Sequence, residues 1–396
     1  MRQINNPVAS LDHTLLTLLG NAFDGHHDFG FVSCERPVNV AEGVLVLKKE
    51  KKSEGDCYTI TNIEYTDFVH KGIEDVGNPY SKYPANTNIL AVDLETVEEL
   101  IKGHPFPGML VNPKALFEAV EPDGATREVF GGRLETTMQN VADELHTFVP
   151  EGKKPSLRTF VCHGKRHKTL ATTKRTLKEC KGSEQTAEKA FYDRLKCHWE
   201  LFSDRCGMQL DPLCSFEEFL QAGPNYLIHY IPALGPLYSV IAQKIRGGTL
   251  SKGSELSLKI AELDVENLAL EGSLLIDSHN ALGSIGDNGL LLYGENVGRC
   301  TLKNVTIQNK GINRISAVNY WQNEFAHTER CVIVLHGNAE FYAEDVVIRG
   351  NETFDVPAGH KMSLTASGKR LEPLDKPSWR WCYSRGSDSA IVLKRE

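Results

Sequence analysis

The chain has 396 residues, 41% of them hydrophobic and 24% charged, an ordinary globular composition with room for two or three domains, which excludes an intrinsically disordered protein. A formal net charge of −8 argues against general nucleic-acid binding. No apolar run reaches the roughly 18 residues of a membrane-spanning helix, and the opening MRQINNPVASLDHTLL lacks the layout of a secretion signal, so neither a membrane nor export is expected.

In chain order, RQINNPVAS presents Gln3, Asn5 and Asn6 before Pro7, a pattern that also suits a capped helix start. HTLLTLLG predicts a short helix closed by Gly20, and GVLVLKKE and CYTITNIEYTDF alternate as strands. Glu64 sits at the close of the second strand, where a carboxylate can accept from two sugar hydroxyls or simply face water. In YSKYPANTNILAVDL, Asn86 and Asn88 flank Thr87 where a loop enters the apolar strand ILAVDL. An amide there can offer a donor and an acceptor to ligand hydroxyls, although Asn also bends backbones at little cost. LETVEELIKG reads as a helix stopped by Gly103. RLETTMQNVADELHTF places Leu134, Met138, Val141, Leu145 and Phe148 on one helical stripe, and FYDRLKCHWELFSDRC does the same with Phe191, Leu195, Trp199 and Phe202. Both stripes read as core.

The densest basic run, RTFVCHGKRHKTLATTKR, carries Arg158, Lys165, Arg166, Lys168, Lys174 and Arg175 around Gly164. Such a set suits an anion, because Arg forks and Lys point charges both fit phosphate oxygens and a glycine admits close backbone approach. A solvated loop is the alternative. Cys162, His163 and His167 lack a fourth ligand and lie among cations, so no metal site is read there. The ten cysteines are scattered without a C-x-x-C pair, as expected of reduced thiols inside a cell. The glycine-containing stretches GNAFDGHHDFG and AGPNYLIHY do not lead into the strand, loop and helix of a phosphate-binding loop.

Beyond about residue 254 the helical periodicity stops. DVENLALEG, LKNVTIQN and AEDVVIRG share an Asx followed by an apolar-x-apolar strand, with Asn267, Asn304 and Asp345 spaced 37 and 41 residues apart. Recurring strands with a turn-forming Asx predict a β-helical solenoid, which buries each coil only against its neighbours and commonly serves as lid, spacer or interface for self-association. The predicted organisation is an α/β domain over residues 1–225, a connection over 226–254 and a β-helix over 255–396.

Taken in order, RQINNPVA, FGFVSCERPVNVAEG, NIEYTDF, PANTNIL, RLETTMQNVAD and IAELDVENLALEGSLLI resemble the UDP-glucose pyrophosphorylase family, most closely its plastid-type branch, over roughly residues 1 to 285. The resemblance implies the C-terminal portion of a Rossmann-like nucleotidyltransferase core followed by a β-helix, joining UTP and glucose 1-phosphate into UDP-glucose and pyrophosphate with Mg²⁺. It implies a chloroplast location, with the cytoplasm as the alternative, and no transit peptide is visible in this chain. Matched motif by motif, Glu64, Asn86 and Asn88 fall where the family contacts sugar hydroxyls, and Gln3, Asn5 and Asn6 where it meets the nucleotide. Lys165 lies near the family's phosphate-binding lysine, with Arg166 and Lys168 as neighbours able to take that role. Two departures stand out. The family's Gly-rich triphosphate loop precedes the RQINNP match, so this chain is expected to be the later part of a longer protein, or else a sugar-nucleotide-binding or assembly module without catalysis. Asn5-Asn6 also stands where many relatives have Asp-Asn, and an amide is the poorer Mg²⁺ ligand.

Overall fold

The computed structural model describes residues 1–9, 12–105, 108–179, 184–287, 289, 291–294, 296–317 and 319–396. Cys180 lies outside them, and the nine described cysteines are free thiols. The chain divides into two compact units, one of Met1–Ser10 with Thr14–Leu170 and one of Leu11–His13 with Ala171–Glu396. This division falls well before residue 225, and it groups the helix at 187–200 with the β-rich remainder of the chain.

The first unit holds helix α1 (Thr14–Asp24), strands β1 (Phe29–Cys34), β2 (Val44–Lys52), β3 (Gly55–Ile63) and β4 (Ala85–Val92), and helix α2 (Leu94–Gly103). A hairpin of β5 (Leu110–Val120) and β6 (Thr126–Glu135), then β7 (Thr147–Pro150), β8 (Thr159–Gly164) and the single turn α3 (Arg166–Thr169), complete it. Six strands form one sheet in the order β7, β3, β2, β4, β1, β8. FGFVSC forms β1 because its unbroken apolar run suits a strand covered on both faces, and all six of its residues are buried. Phe29 and Phe31 pack with Leu45, Ile60, Leu90 and Val97 on one face, while Val32 packs with Leu18, Ile89 and Ala91 on the other. Burying each such side chain contributes about 1.5–3 kcal/mol. The α/β class therefore holds. Among the described strands β1 and β8 pair in parallel and the other neighbours are antiparallel, whereas a Rossmann-like core is mostly parallel.

Three local expectations are corrected. Helix α1 runs through Gly20 to Asp24, because Gly in a helix interior costs only about 1 kcal/mol relative to Ala. The stripe over 133–148 is no α-helix: it ends β6, makes a 3₁₀ segment at Met138–Glu144 and begins β7. Val141 and Leu145 are buried, but Leu134 and Phe148 are exposed, so the helical spacing was coincidental. Strand β3 stops at Ile63, and Glu64 caps a short 3₁₀ turn instead of ending the strand.

The second unit opens with α4 (Ala187–Glu200), capped by Thr186. Strands β9 (Leu227–Tyr230), β10 (Ile245–Leu250), β11 (Glu255–Lys259), β12 (Glu262–Glu271) and β13 (Ser273–Ser278) follow. From here parallel strands stack in register. Val265 pairs with Leu302 and Leu302 with Ala343, while Leu270 pairs with Ile307 and Ile307 with Ile348. The three repeats seen in the sequence thus lie directly on one another. Asn267, Asn304 and Asp345 all adopt positive φ, between 50° and 56°, and bond along the stack, Asn267 Nδ2 donating to Asn304 Oδ1 at 3.0 Å and Asn304 Nδ2 to Asp345 Oδ1 at 2.9 Å. Asn and Asp occupy this left-handed region more readily than other residues bearing a Cβ.

Candidate functional site

The sequence-predicted residues of the first unit meet at one end of its sheet. Across the strands Ile63 pairs with Val44, Val44 with Ala85, Ala85 with Cys34 and Cys34 with Gly164. Glu64 follows β3 at this end, Asn86 and Asn88 lie in the first half of β4, and Lys165 follows β8. Because β4 runs antiparallel to β1, its start lies beside the carboxyl ends of β1, β3 and β8. At about 4.8 Å per strand, Asn86 lies roughly 10 Å from either end of this row, a spacing that suits a sugar phosphate or a nucleotide sugar laid along the edge.

Two asparagines stand together because the backbone is bulged there. Opposite β1, Asn86 pairs with Ser33 and Leu90 with Phe31, leaving Thr87, Asn88 and Ile89 against Val32 alone. Thr87 Oγ1 donates to Val32 O at 2.6 Å, anchoring the bulge, and Asn88 takes φ 54°. Asn86 Nδ2 donates to Asn88 Oδ1 at 3.1 Å, and Asn88 N donates to Asn86 Oδ1 at 3.2 Å. Asn86 is therefore buried and spends its amide on orienting Asn88. The Nδ2 group of Asn88 has no partner among the described residues, so Asn88 is the amide offered outward.

Glu64 is held from behind. Asn62 Nδ2 donates to its Oε1 at 2.8 Å, and the buried Asn62 Oδ1 has no partner among the described residues. Gly43, one residue out from the Val44 pairings, accepts from Asn86 N at 2.9 Å. A Cβ at Gly43 would meet Asn62 Oδ1 at 2.7 Å and Glu64 Oε1 at 3.3 Å. Glycine here lets the carboxylate and the Asn86 backbone approach one another, a role no spacing in the sequence announces. Ser33, paired with both Asn86 and His163, hydrogen-bonds His163 Nδ1 through Oγ at 3.0 Å and brings two further polar groups to the same face. A cavity of about 500 Å³ adjoins the site on the β2–β3 side, walled by Lys48, Thr59, Asn62, Lys71, Asn140 and Asp143. It shares Asn62 with the site and does not reach Asn88 or Lys165.

The basic residues separate into different roles. Lys165 is exposed, with no ion pair among the described residues, and its carbonyl accepts from Lys168 N at 3.0 Å and from Thr169 Oγ1 at 2.8 Å. Arg166 is turned inward. Its guanidinium grips Glu42 with both oxygens, at 3.0 and 2.6 Å, and reaches Glu35 O at 3.1 Å, so its charge is already neutralised. Gly164 does bring chain close to chain, but what a Cβ there would meet is Thr169 Oγ1 at 2.7 Å. Asn6 is buried and donates to Thr169 O at 2.8 Å, which ties the N-terminal segment carrying Gln3 and Asn5 to this turn. The loop between β1 and β2 is pinned by the buried Arg36, which donates to Val40 O, Glu42 O and Asp75 Oδ1 at 2.6, 3.0 and 2.7 Å. Burial pushes the Cys34 thiol up to about 12, which disfavours the thiolate despite its place at this end of the sheet.

The carboxylates at this end already have partners. Glu42 is engaged by Arg166, Glu64 by Asn62, and Glu35 accepts from Arg166 N at 3.1 Å. Asn6 presents an amide already spent on Thr169. Among the described residues no group of three or more His, Cys, Asp or Glu side chains is placed to hold a metal ion.

Against known proteins, the chain is 37% identical over 97% of its length to the chloroplastic UTP–glucose-1-phosphate uridylyltransferase 3 of Arabidopsis thaliana. The chain is a relative of that plastid uridylyltransferase. It spans about half, 46%, of that protein's length. Residues 245–396 match the family described as UGP3-like, C-terminal hexapeptide repeats, the region in which the strands stack. Two solved structures are similar at low identity. A uridine diphosphate N-acetylglucosamine pyrophosphorylase from Trypanosoma brucei has 16% identity and a TM-score of 0.40, over 61% of this chain and 43% of that one. A UDP-glucose pyrophosphorylase from Leishmania major in complex with UDP-glucose has 14% identity and a TM-score of 0.31, over 87% and 55%. The resemblance read from the ordered motifs thus holds over nearly the whole chain.

Proposed function

We propose that the first unit provides the sugar-phosphate half of a uridylyltransferase site, in a protein that forms UDP-glucose and pyrophosphate from UTP and glucose 1-phosphate. The alignment of Glu64, Asn88 and Lys165 along one sheet end carries this reading. Glu64 and the Asn88 amide take hexose hydroxyls, Asn86 and Gly43 hold those two groups in place, and Lys165 faces the phosphate. In the reaction a phosphate oxygen of glucose 1-phosphate attacks the α-phosphorus of UTP and pyrophosphate departs, which calls for alignment and charge neutralisation more than for an acid or a base. Holding both substrates in line contributes on the order of 7 to 11 kcal/mol to lowering such a barrier. Gln3 and Asn5 take the nucleotide side, Lys168 supports Lys165, and Arg166 acts by holding the loop at Glu42. Magnesium is proposed only by kinship, and no step is routed through it.

Kinship also supports a chloroplast location and a β-helix for the stacked strands, which we infer to serve as spacer or self-association surface. A second reading, a sugar-nucleotide-binding module without catalysis, draws on the neutralisation of Arg166, which leaves Lys165 as the outward cation of that pair. The test is a calorimetric titration of glucose 1-phosphate into the parent and Lys165→Ala. The proposal expects about tenfold weaker binding in the variant, the worth of one charge-assisted contact of about 1.5 kcal/mol, and equal affinity overturns the assignment of Lys165.

A further inference from the structure

The second unit contains a cavity of about 340 Å³ lined by residues of α4, β9, β11 and the 323–330 segment, within the size range that encloses a small metabolite. Its charge is unbalanced. Arg194, Lys259 and Arg330 line it against a single carboxylate, Glu255, and Glu255 is already paired with His327, Nε2 to Oε2 at 2.6 Å. Lys259 reaches Asp277 at 3.3 Å in an exposed pair. Arg194 makes no hydrogen bond or ion pair among the described residues, and its buried Nε has no acceptor.

One turn along the same face of α4, His198 has the complementary deficit. It is almost wholly buried, and its Nδ1 lies 2.6 Å from Ile228 O. A carbonyl only accepts, so Nδ1 carries the proton and Nε2 is left with a lone pair. That Nε2 is buried without a partner. Burial, with Arg194 adding to it, pulls the imidazole down to about 3, and the ring is neutral at physiological pH. Arg194, with a donor lacking an acceptor, and His198, with an acceptor lacking a donor, thus both line a cavity rich in cations. A water molecule could satisfy His198, but it would leave the charge of Arg194 unbalanced.

We propose that this cavity binds a small anion that also carries a hydroxyl, of the phosphate-monoester class. Its anionic oxygens accept from Arg194 and Arg330, and its hydroxyl donates to His198 Nε2. The cavity belongs to the second unit, whereas the residues assigned to uridylyl transfer belong to the first.

Glycerol 3-phosphate, inorganic phosphate, glycerate and glycerol serve as probes, titrated by calorimetry at low salt into the whole chain and into Arg194→Gln, Arg330→Gln and Lys165→Ala. Saturable binding of glycerol 3-phosphate is expected, about tenfold tighter than inorganic phosphate, which brings no alkyl hydroxyl, with glycerol not binding. Arg194→Gln should weaken it about tenfold or more while leaving the ligand-free melting temperature unchanged or raised, since a desolvated cation has gone. Arg330→Gln, on an exposed residue, should weaken binding without touching the fold, and Lys165→Ala should leave it unaltered. Absence of saturable glycerol 3-phosphate binding, or affinity indifferent to both arginine substitutions, overturns the proposal. Glycerate binding more tightly than glycerol 3-phosphate overturns the assignment to a phosphate.

Discussion

The stacked strands of the second unit and the sheet end of the first use the same device, an asparagine at positive φ, for opposite purposes. At Asn267 and Asn304 both the backbone conformation and the side-chain amide are spent on the next coil. Asn88 has the same conformation and also bonds a neighbouring asparagine, yet its Nδ2 remains unspent. In the stack each group finds its partner at one fixed spacing, so the structure repeats and closes on itself. At the sheet end the bulge displaces one amide outward, and a polar group is left facing solvent or a ligand. An Asx at positive φ is therefore structural where its amide is met and a candidate for binding where it is not.

That contrast can be broken in several ways. The largest effect is expected at Glu42. Its carboxylate meets the half-buried Arg166 with both oxygens, and removing one partner of a buried pair costs about 3 kcal/mol. Glu42→Gln should lower the urea midpoint accordingly, and a drop below about 1 kcal/mol would mean that the pair behaves as an exposed one. A smaller effect is expected in the stack. Asn304→Ala loses the ladder bonds and puts at φ 50° a residue that tolerates that conformation less well than asparagine, together about 2 kcal/mol, whereas Asn304→Gly should recover roughly 1 kcal/mol of it. Equal loss in the two variants would show that the conformation is not what the asparagine supplies.

The smallest effect concerns Asp75. Burial alone would raise its carboxyl, but the Arg36 hydrogen bond and the Asn39 N–H outweigh this and hold it below the usual range. A carboxylate depressed in the folded state adds stability above its unfolded value, near 3.9, and that stability is lost as the pH falls through the folded value. Unfolding free energy measured from pH 5 downward should therefore fall less steeply in Asp75→Asn than in the parent, and parallel profiles would deny the linkage.

What could be read from the sequence follows the same line. The spacing of Asn267, Asn304 and Asp345 announced the stack because each coil pairs with the next equivalent segment, so a local repeat and the tertiary register are one fact. Helix α2, whose cap Asp93 accepts through Oδ1 from Thr96 N at 2.9 Å, was legible for the same local reason. The site was legible only in part. Glu64, Asn88 and Lys165 stood out by motif, but what brings them together is register between strands far apart in the chain, which no local pattern records. Gly43 and Asn62 lie within the motifs FGFVSCERPVNVAEG and NIEYTDF, yet no role could be read for them, since a glycine and an asparagine near a strand end are ordinary. The pairing of Arg166 was not legible, because a cation beside Lys165 looks alike whether or not a carboxylate from residue 42 reaches it. The helix expected over 133–148 failed because a stripe of apolar spacings cannot report that Thr137 and Asn140 bend the chain into a 3₁₀ turn between two strands.

Asn88 bears most directly on the central claim that the sheet end of the first unit reads a sugar. Its φ of 54° makes Asn88→Ala an ambiguous probe, because alanine tolerates that conformation less well than asparagine whether or not the amide binds anything, and Asn88→Gly removes the amide while keeping the conformation available. UDP-glucose titrated by calorimetry into the parent and Asn88→Gly, with thermal melts alongside, should show binding weaker by about 1 to 3 kcal/mol at nearly unchanged melting temperature, as expected when buried ligand hydroxyls lose a partner. Unchanged affinity in Asn88→Gly, or no saturable binding by the parent, would contradict the claim.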